Sequence, residues 1–123
     1  NCMGSKYDLY KNTDIYVLEL SGKITSVDQK EIDLLQGNIY KLLKEGAKKV
    51  IVYQSDRSFQ IDSEGFGGLI KLCSELEKKG GEIKFSDTLG SFRKILTKSK
   101  LDQRYRLYCS LEDAVKSFSE NSE

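Results

Sequence analysis

Apolar residues along this chain recur at two spacings, and the alternation between those spacings sets out its elements. Tyr16, Leu18 and Leu20 alternate with Ile15, Val17 and Glu19, the period of a strand whose two faces differ. Residues 7–10 form a second strand pattern ahead of it, and Lys11-Asn12-Thr13 between the two suits a hairpin turn. The spacing then lengthens to three and four: Ile32, Leu35, Ile39, Leu42 and Leu43 make one stripe of an amphipathic helix. Ser26, with Gln29 three residues on, reads as its capping box, and Gly46 as the residue just past its end. Val50-Ile51-Val52-Tyr53 is an unbroken apolar run, as expected of a strand covered on both faces.

Beyond that run Leu69, Leu72, Cys73 and Leu76 define a second helix, closed by Gly80 and Gly81. Residues 82–85 read as a short strand, Phe92, Ile95 and Leu96 as a third helix, and residues 105–108 as a last strand. Ser110, with Asp113 three residues on, begins a last helix. Strands alternating with helices imply right-handed crossovers. The expected class is α/β: a mixed sheet of about four or five strands, with about four helices covering one face. In that sheet an N-terminal hairpin precedes parallel strands.

Candidate chemistry concentrates in residues 61–68, Ile-Asp-Ser-Glu-Gly-Phe-Gly-Gly, where the apolar strand region gives way to the second helix. Asp62 or Ser63 serves as the N-cap, its side-chain oxygen taking one of the unpaired N–H donors of the first turn. Each glycine inside a helix costs about 1 kcal/mol relative to alanine. Gly65, Gly67 and Gly68 therefore suggest a close approach to the backbone. The Ser63 hydroxyl, at the positive end of a helix, is placed to carry a phosphoryl group.

Catalytic readings fit poorly. At a helix start Asp62 and Glu64 point in different directions, unlike a general acid/base pair. The chain contains no histidine to activate Ser63 or to join a mixed zinc site. G-x-S-x-G, the P-loop signature and G-x-G-x-x-G are all missing. No catalytic residue, cofactor or metal is expected.

Composition narrows the surroundings of this site. The 123 residues suffice for one core, and 38% hydrophobic against 32% charged residues suits a well-solvated domain. A net charge of +1 gives no general field for nucleic acid or an anionic membrane. No apolar run is long enough to span a bilayer and no basic-then-apolar leader occurs, so the cytoplasm is the expected compartment. Residues 1–6 read as an N-terminal extension, residues 7–118 as the domain and residues 119–123 as a tail. Asn1 and Cys2, ahead of Met3, have the look of an added remnant. The odd count and wide spacing of Cys2, Cys73 and Cys109, with no secretory signal, argue against a disulfide framework, and Cys73 falls on the apolar stripe of the second helix. Between Arg93 and Arg106 six cations face one acid, Asp102. This stretch reads as a solvated helix face, with a docking patch for an acidic partner as the alternative.

Residues 61–68 and their flanks resemble the STAS family (sulfate transporter and anti-sigma factor antagonist domains), whose antagonists carry a D-S-x-G-x-G stretch here. Asp62, Ser63, Gly65 and Gly67 match it, whereas Glu64 stands where the family usually has a small hydroxyl residue. Leu18-Glu-Leu-Ser-Gly22, Leu101-Asp102 and the stretch from Tyr108 to Ala114 are similar to the family as well, so the resemblance runs from Tyr7 to about Phe118. Thr25 and Gln54 occupy positions where phosphorylated antagonists commonly carry aspartates. The resemblance implies a non-catalytic bacterial regulator that binds an anti-sigma factor kinase and is switched off by phosphorylation of the matching serine, Ser63. The partner-binding residues it implies are Thr25, Asp62, Ser63, Glu64, Gly65, Phe66 and Gly67, with Phe66 as an apolar anchor. It further implies a monomer or weak dimer with no direct contact to nucleic acid or membrane. Two other roles known in the family are a scaffold subunit of a stressosome-like assembly and a small-ligand or lipid-transport accessory protein.

Overall fold

The hairpin forms where the alternation places it: β1 (Ser5–Leu9) runs antiparallel to β2 (Ile15–Leu20) in a computed structural model that describes residues 4–120. Asn1, Cys2 and Met3, and residues 121–123 of the expected tail, lie outside the described residues. The first strand starts earlier than its pattern suggested because Ser5 is held from the core. Asn38 donates from Nδ2 to the Ser5 hydroxyl at 2.9 Å and to its carbonyl at 3.2 Å.

Three further strands join β2 in parallel: β4 (Lys49–Gln54), β6 (Glu82–Asp87) and β7 (Leu107–Tyr108), giving the order β1-β2-β4-β6-β7. The last strand is shorter than expected. Tyr105 is buried but sits in a turn, with only Leu107 and Tyr108 paired. A second sheet, absent from the expectation, pairs β3 (Lys23–Ile24) in parallel with β5 (Gln60–Ile61). Two residues are too few to show a period.

The helices are α1 (Gln29–Lys44), α2 (Ser63–Lys78), α3 (Ser91–Lys98) and α4 (Leu111–Glu120). The apolar stripes of α1 and α2, with Phe92 and Leu96 of α3, close over Leu18, Val50, Val52 and Phe85. Each such fully buried side chain contributes roughly 1.5–3 kcal/mol relative to exposure. The expectation that all helices share one face is corrected by α4. Its Ala114 and Phe118 pack on Ile15 and Ile51, on the opposite side of the sheet. It follows the edge strand β7 and is not bound by the handedness of a crossover, so it can return beneath the sheet. That second cover explains why the 50–53 run lacks a polar member. Lys84 is also buried there; it donates to the Ser117 hydroxyl at 2.6 Å and lies 4.2 Å from the centre of the Phe118 ring.

The capping box expected at Ser26 does not form. Asp28 is the N-cap of α1, accepting from Lys30 N–H at 3.2 Å, and Ser26 turns instead toward α2. At α4 Ser110 caps the helix as expected, with Asp113 N–H donating to its hydroxyl at 3.0 Å.

Candidate functional site

Leu20, Gln54 and Asp87, the last residues of β2, β4 and β6, are cross-strand neighbours, so the loops that follow leave one end of the sheet together. Binding sites of parallel α/β sheets form beyond such carboxyl ends. Asp62 sits among these loops and settles which of two residues caps α2. One carboxylate oxygen accepts from Gly65 N–H at 2.9 Å, and the other from the backbone N–H and hydroxyl of Ser26 at 2.7 and 2.9 Å. The helix start is thereby tied to the loop between β3 and α1.

The Ser26 N–H, followed by that of Gly65, holds the Asp62 carboxyl below the ordinary carboxylate range. Asp56 is depressed in the same way, first by Gly22 N–H at 2.7 Å and then by Ser58 N–H at 3.0 Å. Both groups bind protons more weakly folded than unfolded. Their stabilisation is therefore complete above the ordinary carboxylate pKa, and it is lost as the pH falls through the lower folded values. Melting temperature should begin to drop below about pH 4, where unfolded carboxylates take up protons. The difference between wild type and Asp62→Asn should shrink over that same interval of a pH-dependent melt series; a constant difference would contradict the loop tie.

Gln54, at the end of β4, is held by a hydrogen-bond network that suits an amide. It is fully buried beside Asp87, which is 4% exposed. Gln54 Nε2 donates to an Asp87 oxygen at 2.8 Å, and its own Oε1 accepts from Asp56 N–H at 2.9 Å. Asp87 also takes the N–H groups of Leu89 and Phe92, at 2.8 and 2.6 Å. It thus substitutes for a cap at α3, whose N-cap residue Gly90 has no side chain to offer. The strand runs two residues beyond the apolar pattern that ends at Phe85, and the signal for Asp87 is an acid ahead of Thr-Leu-Gly-Ser.

Ser63 opens the first turn of α2 and is exposed, as is Glu64 after it. Ser63 lies on the rim of an open groove of about 900 Å³ between the start of α2 and α3. Thr25, half-buried, lines the groove as well. Phe66 is not an exposed anchor: it is only 7% exposed and belongs to the core while also lining the groove. Phe59 meets Phe92 edge-on at 5.7 Å between ring centres, and Phe92 meets Phe85 of β6 edge-on at 5.2 Å, which holds α3 against the sheet.

The three glycines divide by role. At Gly65 the close approach is internal, since a methyl group would collide with the Ile24 carbonyl oxygen and crowd Ile61. Gly68 abuts the Gln36 side chain, whereas Gly67 faces open space. Gly65→Ala should cost about 2 kcal/mol or more, as for other overpacked sites, because its obstacle is backbone. Chemical denaturation of Gly65→Ala beside Gly67→Ala provides the check: the second variant should be neutral or slightly stabilised.

The cysteine expectations hold where the structure describes them. Cys73 is buried on α2 with its thiol pushed up to about 12, chiefly by desolvation, and Cys109 is exposed. Among the described residues no helix is long and apolar enough to cross a membrane.

The sequence profile of the STAS domain matches residues 6–114, and the chain belongs to that family. Comparison with curated protein sequences finds no match. Among solved structures it is similar to an anti-sigma factor antagonist from Mycobacterium paratuberculosis, at 18% identity over 92% of this chain and 91% of that one, with a TM-score of 0.71. It is also similar to the Bacillus cell fate determinant SpoIIAA in its phosphorylated form, at 18% identity, 93% and 98% coverage and a TM-score of 0.67. The unphosphorylated form of that antagonist gives 14% identity, 95% and 98% coverage and a TM-score of 0.66. At such identities the likeness is one of fold.

Proposed function

We propose that this chain is a non-catalytic, cytoplasmic bacterial regulator of the anti-sigma factor antagonist type, which binds an anti-sigma factor kinase and is released from it by phosphorylation of Ser63. The observation that carries this reading is the division of labour at the start of α2. Asp62 does the capping, so the exposed Ser63 hydroxyl can be modified without withdrawing a bond from the fold. A phosphoryl group adds about −1.5 to −2 charges. The helix N-terminus tolerates that charge in the free domain, whereas a desolvated interface does not. A structural relative, SpoIIAA, occurs in phosphorylated and unphosphorylated forms, which supports control by phosphorylation.

Within the proposed partner-binding set, Thr25, Ser63, Glu64 and Gly67 offer surface, Asp62 and Gly65 hold the loop geometry, and Phe66 floors the groove. No cofactor, metal or nucleic acid enters the scheme, and a monomer or weak dimer suffices for it. The test is incubation with ATP and the cognate anti-sigma factor, followed by mass-spectrometric mapping. A single phosphate on Ser63, absent from Ser63→Ala, is the expected result. Phosphate on another residue, or none, contradicts the reading.

A further inference from the structure

The six cations between Arg93 and Arg106 are all exposed, and the fold spreads them over α3 and the segment that follows it. Arg104 pairs with Glu77 at 2.5 Å, and the Arg106 guanidinium lies 5.7 Å from the centre of the Tyr108 ring. Lys94 and Lys98 are exposed, stand one turn apart on α3, and line the same groove as Ser63. Neither takes part in the salt bridges found among the described residues.

Between these lysines and the start of α2 the groove is lined by Phe59, Ile61, Phe66 and Ile95, with Leu89 at its edge, 42% exposed. Asp62 lines the α2 side, but both of its carboxylate oxygens are taken, one by Gly65 N–H and the other by Ser26, and Glu64 is not part of the lining. The cleft is apolar along its base and carries two exposed lysines on its α3 side. A purely anionic or a purely apolar occupant would match only part of it. A single-headed amphiphile would also leave its tail in an open trough rather than an enclosed cavity.

We infer that the groove receives a segment of the partner protein in which an apolar side chain is flanked by carboxylates. The apolar group enters over Phe66 and Ile95, and the carboxylates meet Lys94 and Lys98. This rests on the reading of Ser63 as part of the binding face and adds the chemistry of what binds there. It also gives phosphorylation a second effect. A phosphoryl group on Ser63 enters the same groove as a competing anion for the same two lysines.

The test is selection of random twelve-residue peptides on the full chain, followed by fluorescence polarisation with the enriched peptides in synthetic form. Enriched sequences should combine an apolar residue with neighbouring Asp or Glu. The Lys94→Gln/Lys98→Gln double variant, whose exposed substitutions leave the melt unchanged, should bind them about five- to tenfold more weakly at low salt. That loss should shrink as salt is raised. No enrichment, enrichment without acids, or equal binding by the double variant overturns the inference. So does displacement of the peptides by decanoate at lower concentrations than the peptides themselves require. Ser63→Asp is run in parallel to keep the two readings apart. Lysine dependence without an effect of Ser63→Asp removes the switch and keeps the groove; the reverse result removes the groove and keeps the switch.

Discussion

Gln54→Glu should destabilise the protein by about 3 kcal/mol or more, the scale on which a buried charge left without its partner is lost. Glutamate has the same shape but no N–H to donate, so its carboxylate would face the Asp87 oxygen now 2.8 Å from Gln54 Nε2. Both positions are nearly closed to water, which leaves little screening. The damage should spread into α3, because Asp87 holds the N–H groups of Leu89 and Phe92. Urea denaturation should show an earlier midpoint, with the gap from wild type narrowing at acid pH as the two carboxyls come to share a proton. A variant as stable as wild type at neutral pH would mean that this amide–carboxylate contact is not a structural requirement.

Ser63→Asp should leave the fold intact and remove partner binding. An acid in the first turn favours a helix by a few tenths to 1 kcal/mol. Because Asp62 makes the capping bond to Gly65, neither Ser63→Asp nor Ser63→Ala withdraws it. Their melts should lie close to wild type. Binding should separate them: Ser63→Ala retains the anti-sigma factor, whereas Ser63→Asp loses more than about tenfold through an unpaired interface charge. Pull-down of both variants at matched concentrations distinguishes this from a role confined to helix initiation, which would leave both binding alike.

Periodicity made the larger elements legible and left the short-range chemistry undecided. The stripes of α1 and α2 are long enough for their period to stand out, and the apolar 50–53 run announced a strand covered twice. The same pattern could not say that the second cover is α4, since apolar spacing identifies a buried face without saying which side of the sheet it meets. The pairing of Lys23 and Ile24 with Gln60 and Ile61 was invisible because two residues carry no alternation.

At the site, the stretch of residues 61–68 was readable, but the choice between two competent caps was not. It depends on Ser26, distant in sequence and bonded to Asp62 only through the meeting of β3 and β5. The contact between Gln54 and Asp87 was hidden because the two become adjacent only in the register of β4 on β6. The groove has the same origin, assembled from Thr25, residues 59–66 and residues 89–99.

Titration calorimetry of the cognate anti-sigma factor into this protein, with Ser63 either free or fully phosphorylated, tests the central claim most directly. The account expects clear binding by the free form and affinity lower by more than about tenfold for the phosphorylated form, with both forms melting cooperatively. Equal affinities of two folded forms would contradict it.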